Sequence, residues 1–204
     1  TWNDGGLLEI VTNSSTTAEI HTEYGGKLLG AYKDSTFSSF IRAFNSSDAE
    51  YAAAVENFVY SCAGYCIATY VMGIGDRHND NIMVKRSGHY FHIDFGHFLG
   101  NFKYQFGVAR ERSAFVFTPE MAHVMGGKDD ERFTKFVGLA TDALQVLRRH
   151  GSTLVNLFAL MVPAGMPELS SREDINYLRN MLELQEQNAD VVRERFLRDL
   201  DAAL

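Results

Sequence analysis

The sequence has little proline, little cysteine and no excess of positive charge. Three prolines in 204 residues leave no room for a proline-rich linker, which predicts a single domain. The two cysteines, Cys62 and Cys66, are four residues apart in an apolar stretch, a spacing that fits neither a zinc site nor a disulfide framework, so we expect them in the core. The formal net charge of −7 argues against general binding to nucleic acid or to an anionic membrane.

A stretch suited to crossing a membrane is also missing. Residues 58–75 carry no formal charge, but the glycines, hydroxyl groups and tyrosines in this stretch make it a poor lipid span. We expect a helix buried inside a soluble lobe. The first residues show no signal-peptide pattern, which leads us to expect a cytosolic protein.

Two polar segments stand out against this apolar background. Residues 73–81 read G-I-G-D-R-H-N-D-N, and residues 92–97 read H-I-D-F-G-H. The β-prone residues between them predict a hairpin that turns on Ser87 and Gly88. With that two-residue loop, Asn81 lies opposite Asp94.

The predicted hairpin suggests how a magnesium site could form. Directly opposed residues in an antiparallel pair have Cβ atoms about 4.5–5.5 Å apart. Magnesium prefers oxygen ligands and usually takes one or two protein groups together with substrate phosphates. The amide of Asn81 and the carboxylate of Asp94 are therefore the predicted metal ligands, beside an incoming ATP.

The order of these residues resembles a known family of kinases. In protein kinases a loop aspartate precedes the metal-binding asparagine at the spacing of Asp76 and Asn81, although residues 76–78 invert the usual His-Arg-Asp order. The pattern G-x-G-D-R-H-x-x-N-I-M followed by H-I-D-F-G-H-F-L resembles the phosphoinositide 3-kinases, class I in particular, and the resemblance extends over the whole chain.

The resemblance implies a mostly α fold with a small β-hairpin (α+β). Residues 1–204 would form the C-terminal lobe of the kinase-like catalytic domain, with residues 73–81 as the catalytic loop and residues 94–120 as the activation segment. The sequence contains no Gly-rich phosphate loop and no strand lysine of the V-A-x-K type. We therefore expect the N-terminal lobe, and regulatory domains or a subunit, to be missing partners.

The resemblance also implies a reaction, in which the γ-phosphate of ATP is transferred to the 3-hydroxyl of a phosphatidylinositol headgroup with Mg²⁺. The candidates for orienting that hydroxyl, taking its proton or stabilising charge are Asp76, His78 and His97. His97 is the first choice as base, because a neutral imidazole accepts a proton near pH 7. Arg77 is expected to brace the loop through an ion pair. Met83 and Ile93, with Asp94, are expected at the nucleotide pocket.

Residues 95–118, within the expected activation segment, are cationic in an acidic chain. Between residues 95 and 118, Lys103, Arg110 and Arg112 stand against Glu111. These three cations are the predicted phosphoinositide-binding residues, and they imply a cytoplasmic protein recruited peripherally to a membrane surface. Class I enzymes commonly have more lysines here, which leaves phosphatidylinositol and its 4-phosphate as open substrates.

Other functions fit the same residues. A phosphoinositide 4-kinase and a protein Ser/Thr kinase related to the 3-kinases share much of the loop, although Gly96 and the Arg-Glu-Arg sequence at residues 110–112 favour a lipid kinase of the 3-kinase type. A truncated lobe that acts only as a binding module is the non-enzyme alternative. The predicted metal ligands and loop residues are all present, which argues against a lobe that has lost its catalytic residues.

Helix signals fill the rest of the chain. Ser47 and Glu50 form a capping-box pattern that predicts a helix to about Tyr70, ended by Gly73. An apolar stripe predicts a second long helix over residues 133–149. Further helices are expected over residues 154–162 with Ser152 as cap, over residues 170–184 from a second capping box, and after Asn188.

Overall fold

The structure, a computed structural model, describes residues 5–25, 33–101, 104–105, 108–109 and 113–204, with the backbone alone for 104–105 and 108–109. The described part is mostly helical with small antiparallel sheets, as expected. Its strands are β1 (Ser14–Thr16), β2 (Ile82–Lys85), β3 (Tyr90–His92), β4 (Tyr104–Gln105) and β5 (Val108–Ala109). Its helices are α1 (Thr17–Tyr24), α2 (Thr36–Phe44), α3 (Asp48–Met72), α4 (Pro119–Val124), α5 (Glu131–Arg149), α6 (Gly151–Met161), α7 (Ile175–Met181) and α8 (Ala189–Ala203).

Helix α3 is the central element and begins where the sequence predicts. The Ser47 side chain accepts a hydrogen bond from the Glu50 amide, and the Glu50 carboxylate accepts one from the Ser47 amide. Gly73 ends the helix in the left-handed conformation at φ +57°. The predicted stripe is buried throughout, and each large apolar side chain buried there contributes about 1.5–3 kcal/mol; its members are Val55, Phe58, Val59, Cys62, Cys66 and Tyr70.

The two cysteines lie in this buried stripe as free thiols, with their sulfur atoms 3.9 Å apart. Burial raises the pKa of the Cys62 thiol well above its ordinary value. Core packing is therefore confirmed as the structural setting of both residues. Within the described part of the chain, no helix is long and apolar enough to cross a membrane.

The sheet beside α3 has three strands in the order β1-β2-β3, all antiparallel. The sequence predicted only the β2-β3 hairpin and gave no strand over residues 13–17, so β1 was missed. Strand β1 is three polar residues long and has no apolar alternation to indicate a strand. It forms because Ser15 pairs with Val84, and because the Asn13 carbonyl accepts a hydrogen bond from the Arg86 amide at 2.8 Å.

The hairpin register differs from the prediction by one residue. The loop is the three residues Arg86, Ser87 and Gly88: the Lys85 amide donates to the His89 carbonyl at 2.8 Å, and Gly88 takes φ +88°. Ile82 consequently pairs with His92, and the Ile93 amide donates to the Asn81 carbonyl at 3.0 Å. Asn81 therefore lies opposite Ile93, and the predicted direct opposition of Asn81 and Asp94 was wrong.

The C-terminal helices α5 and α8 match their predicted positions. Asn188 caps α8 by accepting from the Asp190 amide, and its inward residues Val192, Phe196 and Leu200 are buried. The predicted starts of the helices between them were wrong. Helix α6 begins at Gly151 directly after α5, so Ser152 lies inside it. Helix α7 begins only at Ile175, because the Asp174 carboxylate accepts from the Ser170 and Ser171 amides in place of the predicted capping box.

His92 on β3 gives the fold a predicted pH dependence. The side chain is buried, with Nε2 2.7 Å from the Tyr90 hydroxyl oxygen, and burial together with the charge of Arg77 lowers its pKa to about 3. The unfolded chain takes up this proton near pH 6.5, whereas the folded chain does not. We therefore expect the free energy of unfolding to fall as the pH drops from about 6.5 towards 3, by about 2 kcal/mol between pH 7 and pH 5 from this group.

Urea unfolding at a series of pH values measures this effect. The slope of the unfolding free energy against pH is proportional to the number of protons taken up on unfolding. In the His92→Gln variant we expect that number to be smaller by about one. The matched control is His89→Gln, which removes the exposed imidazole three residues earlier on the same hairpin. An unchanged slope in His92→Gln would contradict the prediction.

Candidate active site

The loop of residues 73–81 begins at a tight contact between two glycines and a tyrosine. Gly73 and Gly100 both have positive φ, and the Gly100 amide donates to the Gly73 carbonyl at 3.2 Å. The ring of Tyr177, from α7, packs against both: a Cβ atom on either glycine would lie 2.4 Å from it. The end of α3 and the segment after Asp94 are thus held together by a C-terminal helix.

This contact predicts a large loss of stability when a methyl group is added. Gly73→Ala or Gly100→Ala should lower the free energy of unfolding by about 2–4 kcal/mol, from left-handed backbone strain and overpacking against Tyr177. The control is Gly64→Ala on the exposed side of α3, where a Cβ meets nothing within 4 Å. It should raise stability by about 0.5–1 kcal/mol. Chemical denaturation compares the variants, and equal effects at Gly64 and Gly100 would refute the assignment.

Arg77 links the loop to the segment that carries Asp94. Its Nε donates to the Gly75 carbonyl at 2.8 Å, its Nη1 to the Ile93 carbonyl at 2.7 Å and its Nη2 to the Asp94 carbonyl. The predicted bracing role agrees with this geometry. These backbone carbonyls contribute to the brace, and the ion pair expected for Arg77 stays a prediction.

Asn81 is 6% exposed and is oriented by the loop itself. Its Nδ2 donates to the Asp76 carbonyl at 2.9 Å and lies 3.2 Å from His78 Nε2. The amide nitrogen is thus engaged by the protein, and among the described residues Oδ1 receives no hydrogen bond. That oxygen is the atom a hard cation such as Mg²⁺ would take.

Asp76 and Asp94 share an uncommon backbone conformation. Their φ angles are +59° and +57°, in the left-handed region that non-glycine residues seldom occupy. Such strain concentrates at functional sites. The left-handed conformation of Asp94 comes just after the end of β3 and breaks the alternation of side chains along the strand. The hairpin register therefore does not determine which side of the sheet the Asp94 side chain points to.

The backbone of Asp94 remains close to Asn81 in space despite the shifted register. Ile93 pairs with Asn81, and consecutive Cα atoms are about 3.8 Å apart. The Asp94 side chain is exposed, and its oxygen atoms fit the chemistry of a magnesium ligand. Among the described residues no group of three or more His, Cys, Asp or Glu side chains could hold a metal. A site built from Asn81, Asp94 and nucleotide phosphates would need only two protein ligands.

His97 has a partner that the sequence did not indicate. Its Nδ1 lies 3.0 Å from Oε1 of Glu168, which is itself mostly buried. The Asn101 side chain donates to the Glu168 carbonyl at 3.2 Å and fixes this loop beside the segment after Asp94. Glu168 is 71 residues away in the chain and lies in a short loop without periodicity, so no sequence pattern connected the two.

His78 lies in a different setting, within its own loop. Its Nδ1 accepts from the Asp80 amide at 3.2 Å and lies 3.6 Å from the Asp80 carboxylate. Among the candidate bases, His97 is the one paired with a carboxylate from a distant element. This arrangement holds an imidazole ring in one orientation and one tautomer.

The apolar residues predicted at the nucleotide pocket share one face of the sheet. Met83 pairs with Phe91, and Ile93 lies two residues beyond Phe91, so the three point to the same side. Ile93 is 37% exposed, and Met83 is partly buried. An exposed apolar face next to the metal candidates suits the floor of a nucleotide pocket, and this role stays a prediction.

The predicted phosphoinositide-binding residues Lys103, Arg110 and Arg112 lie outside the described residues. Of the aromatic residues in the same segment, Phe115 and Phe117 are buried in the core and Phe98 packs against it. Phe95, also in this segment, is instead 48% exposed, so core packing holds for three of its described rings.

A model of the phosphatidylinositol 3- and 4-kinase family matches residues 1–171. The chain therefore belongs to the phosphatidylinositol 3- and 4-kinase family, and its mostly helical fold with a small sheet is consistent with the kinase-like fold of that family. The resemblance drawn from the two polar segments is confirmed.

Individual relatives narrow the comparison to 3-kinases. The chain is 50% identical over 194 residues to phosphatidylinositol 3-kinase 1 of Dictyostelium discoideum. The matched region makes up 94% of this chain and 12% of that relative. It is 45% identical over 192 residues to phosphatidylinositol 4-phosphate 3-kinase C2 domain-containing subunit alpha of Pongo abelii. That matched region makes up 93% of this chain and 11% of the relative. The chain thus spans little more than a tenth of the length of these curated relatives.

Proposed function

We propose that this chain is the C-terminal lobe of the catalytic domain of an ATP-dependent lipid kinase, which transfers the γ-phosphate to the 3-hydroxyl of a phosphatidylinositol headgroup. The observation that carries the proposal is the 45–50% identity, over more than nine-tenths of the chain, to relatives whose names state this activity. The bracing of residues 73–81 against residues 93–97 supports it.

The proposed roles follow from where the side chains are held. Asn81 Oδ1 and the Asp94 carboxylate bind Mg²⁺, which when bound neutralises phosphate charge. His97 presents Nε2 to the inositol hydroxyl and accepts its proton, because Nδ1 is engaged by Glu168. Asp76 and His78 orient the hydroxyl or the phosphates. Met83 and Ile93 form the floor under the nucleotide.

The substrate is proposed from charge and from the relatives. Three cations against one anion between residues 95 and 118 favour a headgroup with few phosphates. The relatives are named for phosphatidylinositol and for its 4-phosphate, and we infer one of these as the substrate. A protein acting on them would work in the cytoplasm and associate peripherally with the membrane that contains them.

The test is a chimera in which residues 1–204 replace the matched segment of the Dictyostelium phosphatidylinositol 3-kinase 1. Vesicles containing phosphatidylinositol or its 4-phosphate are incubated with labelled ATP, and the position of the new phosphate on the inositol ring is determined. We expect the 3-position. A product phosphorylated at the 4-position, or label found only on protein, would refute the proposal.

Residues 1–204 alone should show negligible lipid phosphorylation. The sequence contains neither a Gly-rich phosphate loop nor the strand lysine that covers the nucleotide in kinases. Activity of the isolated chain comparable to that of the chimera would contradict this expectation.

A further inference from the structure

A cavity of about 410 Å³, lined by residues other than the metal candidates, lies between α1, α2, the sheet and α4. Its walls are mainly apolar, with Phe37, Ile82, Tyr90 and Met121 among the lining residues. A water molecule takes about 30 Å³ of liquid volume, so the cavity is large enough for an organic molecule. Sites for small molecules typically combine such walls with a few placed polar groups.

Two polar side chains that line this cavity each have an atom with no hydrogen-bond partner among the described residues. These atoms are His21 Nε2 and Thr118 Oγ1, both buried at the atom. His21 Nε2 lies 3.5 Å from Oε1 of Glu120, within reach of a charge pair but beyond a hydrogen bond. A buried polar atom without a partner destabilises the protein, and a ligand that supplies the partner removes that cost.

The charge of the lining selects the type of ligand. Glu120 is only 8% exposed and Asp34 also lines the cavity, which gives two carboxylates against one imidazole. Carboxylates are acceptors, so a bound molecule must donate hydrogen bonds to them. An anionic ligand would instead meet like charge at the buried Glu120 and the exposed Asp34.

The cavity also touches both segments of the candidate active site. Asn79, between His78 and Asn81, contributes to its wall, and the Asn79 carbonyl accepts from Thr17 Oγ1 at 2.9 Å and from the Ala18 amide at 3.1 Å. Val116 and Thr118, at the end of the predicted activation segment, form another part of the wall. A ligand here would contact the loop and the segment together.

We propose that this cavity is a second ligand site, which takes a planar apolar molecule carrying a cationic N–H donor group, such as an aromatic amidine or amine. The ring packs between Phe37 and Met121. The donor group hydrogen-bonds Glu120, and the Thr118 hydroxyl supplies a further contact. Because Asn79 lies in the wall, binding changes the environment of the 73–81 loop. The inference does not depend on lipid kinase activity.

The test uses benzamidine as the probe and the 204-residue chain, labelled with ¹⁵N and titrated by NMR. We expect saturable binding with Kd on the order of 1 mM, as suits a small fragment. The amides of Thr118 and Asn79 should shift, together with that of Asn81. Benzoate, which has similar shape and opposite charge, should bind at least about tenfold more weakly.

Two near-isosteric substitutions locate the site. Glu120→Gln should weaken benzamidine binding about tenfold, because a charged hydrogen bond becomes a neutral one. Thr118→Val should weaken it by a smaller factor, and it removes no hydrogen bond made among the described residues. The control is Glu194→Gln on the exposed side of α8, which should leave the affinity unchanged. Thermal melting of each variant verifies that it is folded.

Four results would each overturn the proposal. The first is no saturable binding by a folded parent chain. The second is equal affinity of the parent chain for benzoate and benzamidine. The third is equal benzamidine affinity of the parent chain and folded Glu120→Gln. The fourth is displacement of benzamidine by ATP with Mg²⁺, which would place the probe in the nucleotide site. None of these results bears on the position of the phosphate in the lipid product, so the proposed function is tested separately.

Discussion

Replacing Asp94 with Asn in the chimera should abolish lipid phosphorylation while the fold survives. The substitution keeps the size of the side chain and removes the charge that binds a divalent cation. The loss should be about 10³-fold or more in kcat/KM, since several kcal/mol of charge stabilisation depend on the metal and each 1.36 kcal/mol is a factor of ten. The Asp94 carbonyl, not its side chain, accepts the bond from Arg77, so the brace of the loop remains.

Lipid phosphorylation at saturating ATP, with thermal melting alongside, measures this effect. The matched control is Asp142→Asn on the exposed side of α5, far from the loop in sequence and without a proposed role. It should retain the parent rate. If Asp94→Asn keeps more than about a tenth of the parent kcat/KM, which is a loss of less than 1.4 kcal/mol, Asp94 is not the metal ligand.

Replacing His97 with Gln should lower kcat by about 10²–10⁴-fold, the usual worth of a positioned general base. Glu168→Gln should lower it less, by about tenfold, because the amide still reaches Nδ1 but no longer holds the ring as a carboxylate does. Glu168 acts here as a positioning residue through His97. Its loss should therefore add little in a chain that already lacks the imidazole, so the double variant should match His97→Gln alone.

The split between kcat and KM decides between two roles for His97. A base acts only in the transfer step, so its loss lowers kcat and leaves the KM for ATP nearly unchanged. A histidine that only donates to phosphate oxygens would affect the KM for ATP. A raised KM with unchanged kcat would thus assign His97 to nucleotide binding. An additive double variant would show that Glu168 works independently of the ring.

Local signals in the sequence predicted the central helix and the loop that leaves it. The capping box at Ser47 and the glycine at residue 73 act within one helical turn, so their effect can be read from neighbouring residues. The apolar stripe of α3 likewise has a period that a buried helix requires. The family pattern followed from residues 73–81 and 92–97 alone.

The features that could not be predicted from the sequence depend on small differences in backbone conformation or on contacts between distant residues. A loop of two residues and a loop of three are both compatible with Arg86-Ser87-Gly88, and the choice moves every pair on the hairpin by one position. The break at Asp94 is a backbone conformation that no side-chain pattern encodes. The pairing of His97 with Glu168, and the contact of Tyr177 with two glycines, join residues that only the folded chain brings together.

The contact of Tyr177 with Gly73 and Gly100 bears on where this domain can be divided. The family match ends at residue 171, after all the predicted site residues but before α7. A protein cut there would keep the metal candidates, both histidines and Glu168, yet it would lose the aromatic ring that fits against the start of the loop. A cut at the end of the family match would thus remove a steric support of the loop that lies outside the matched residues.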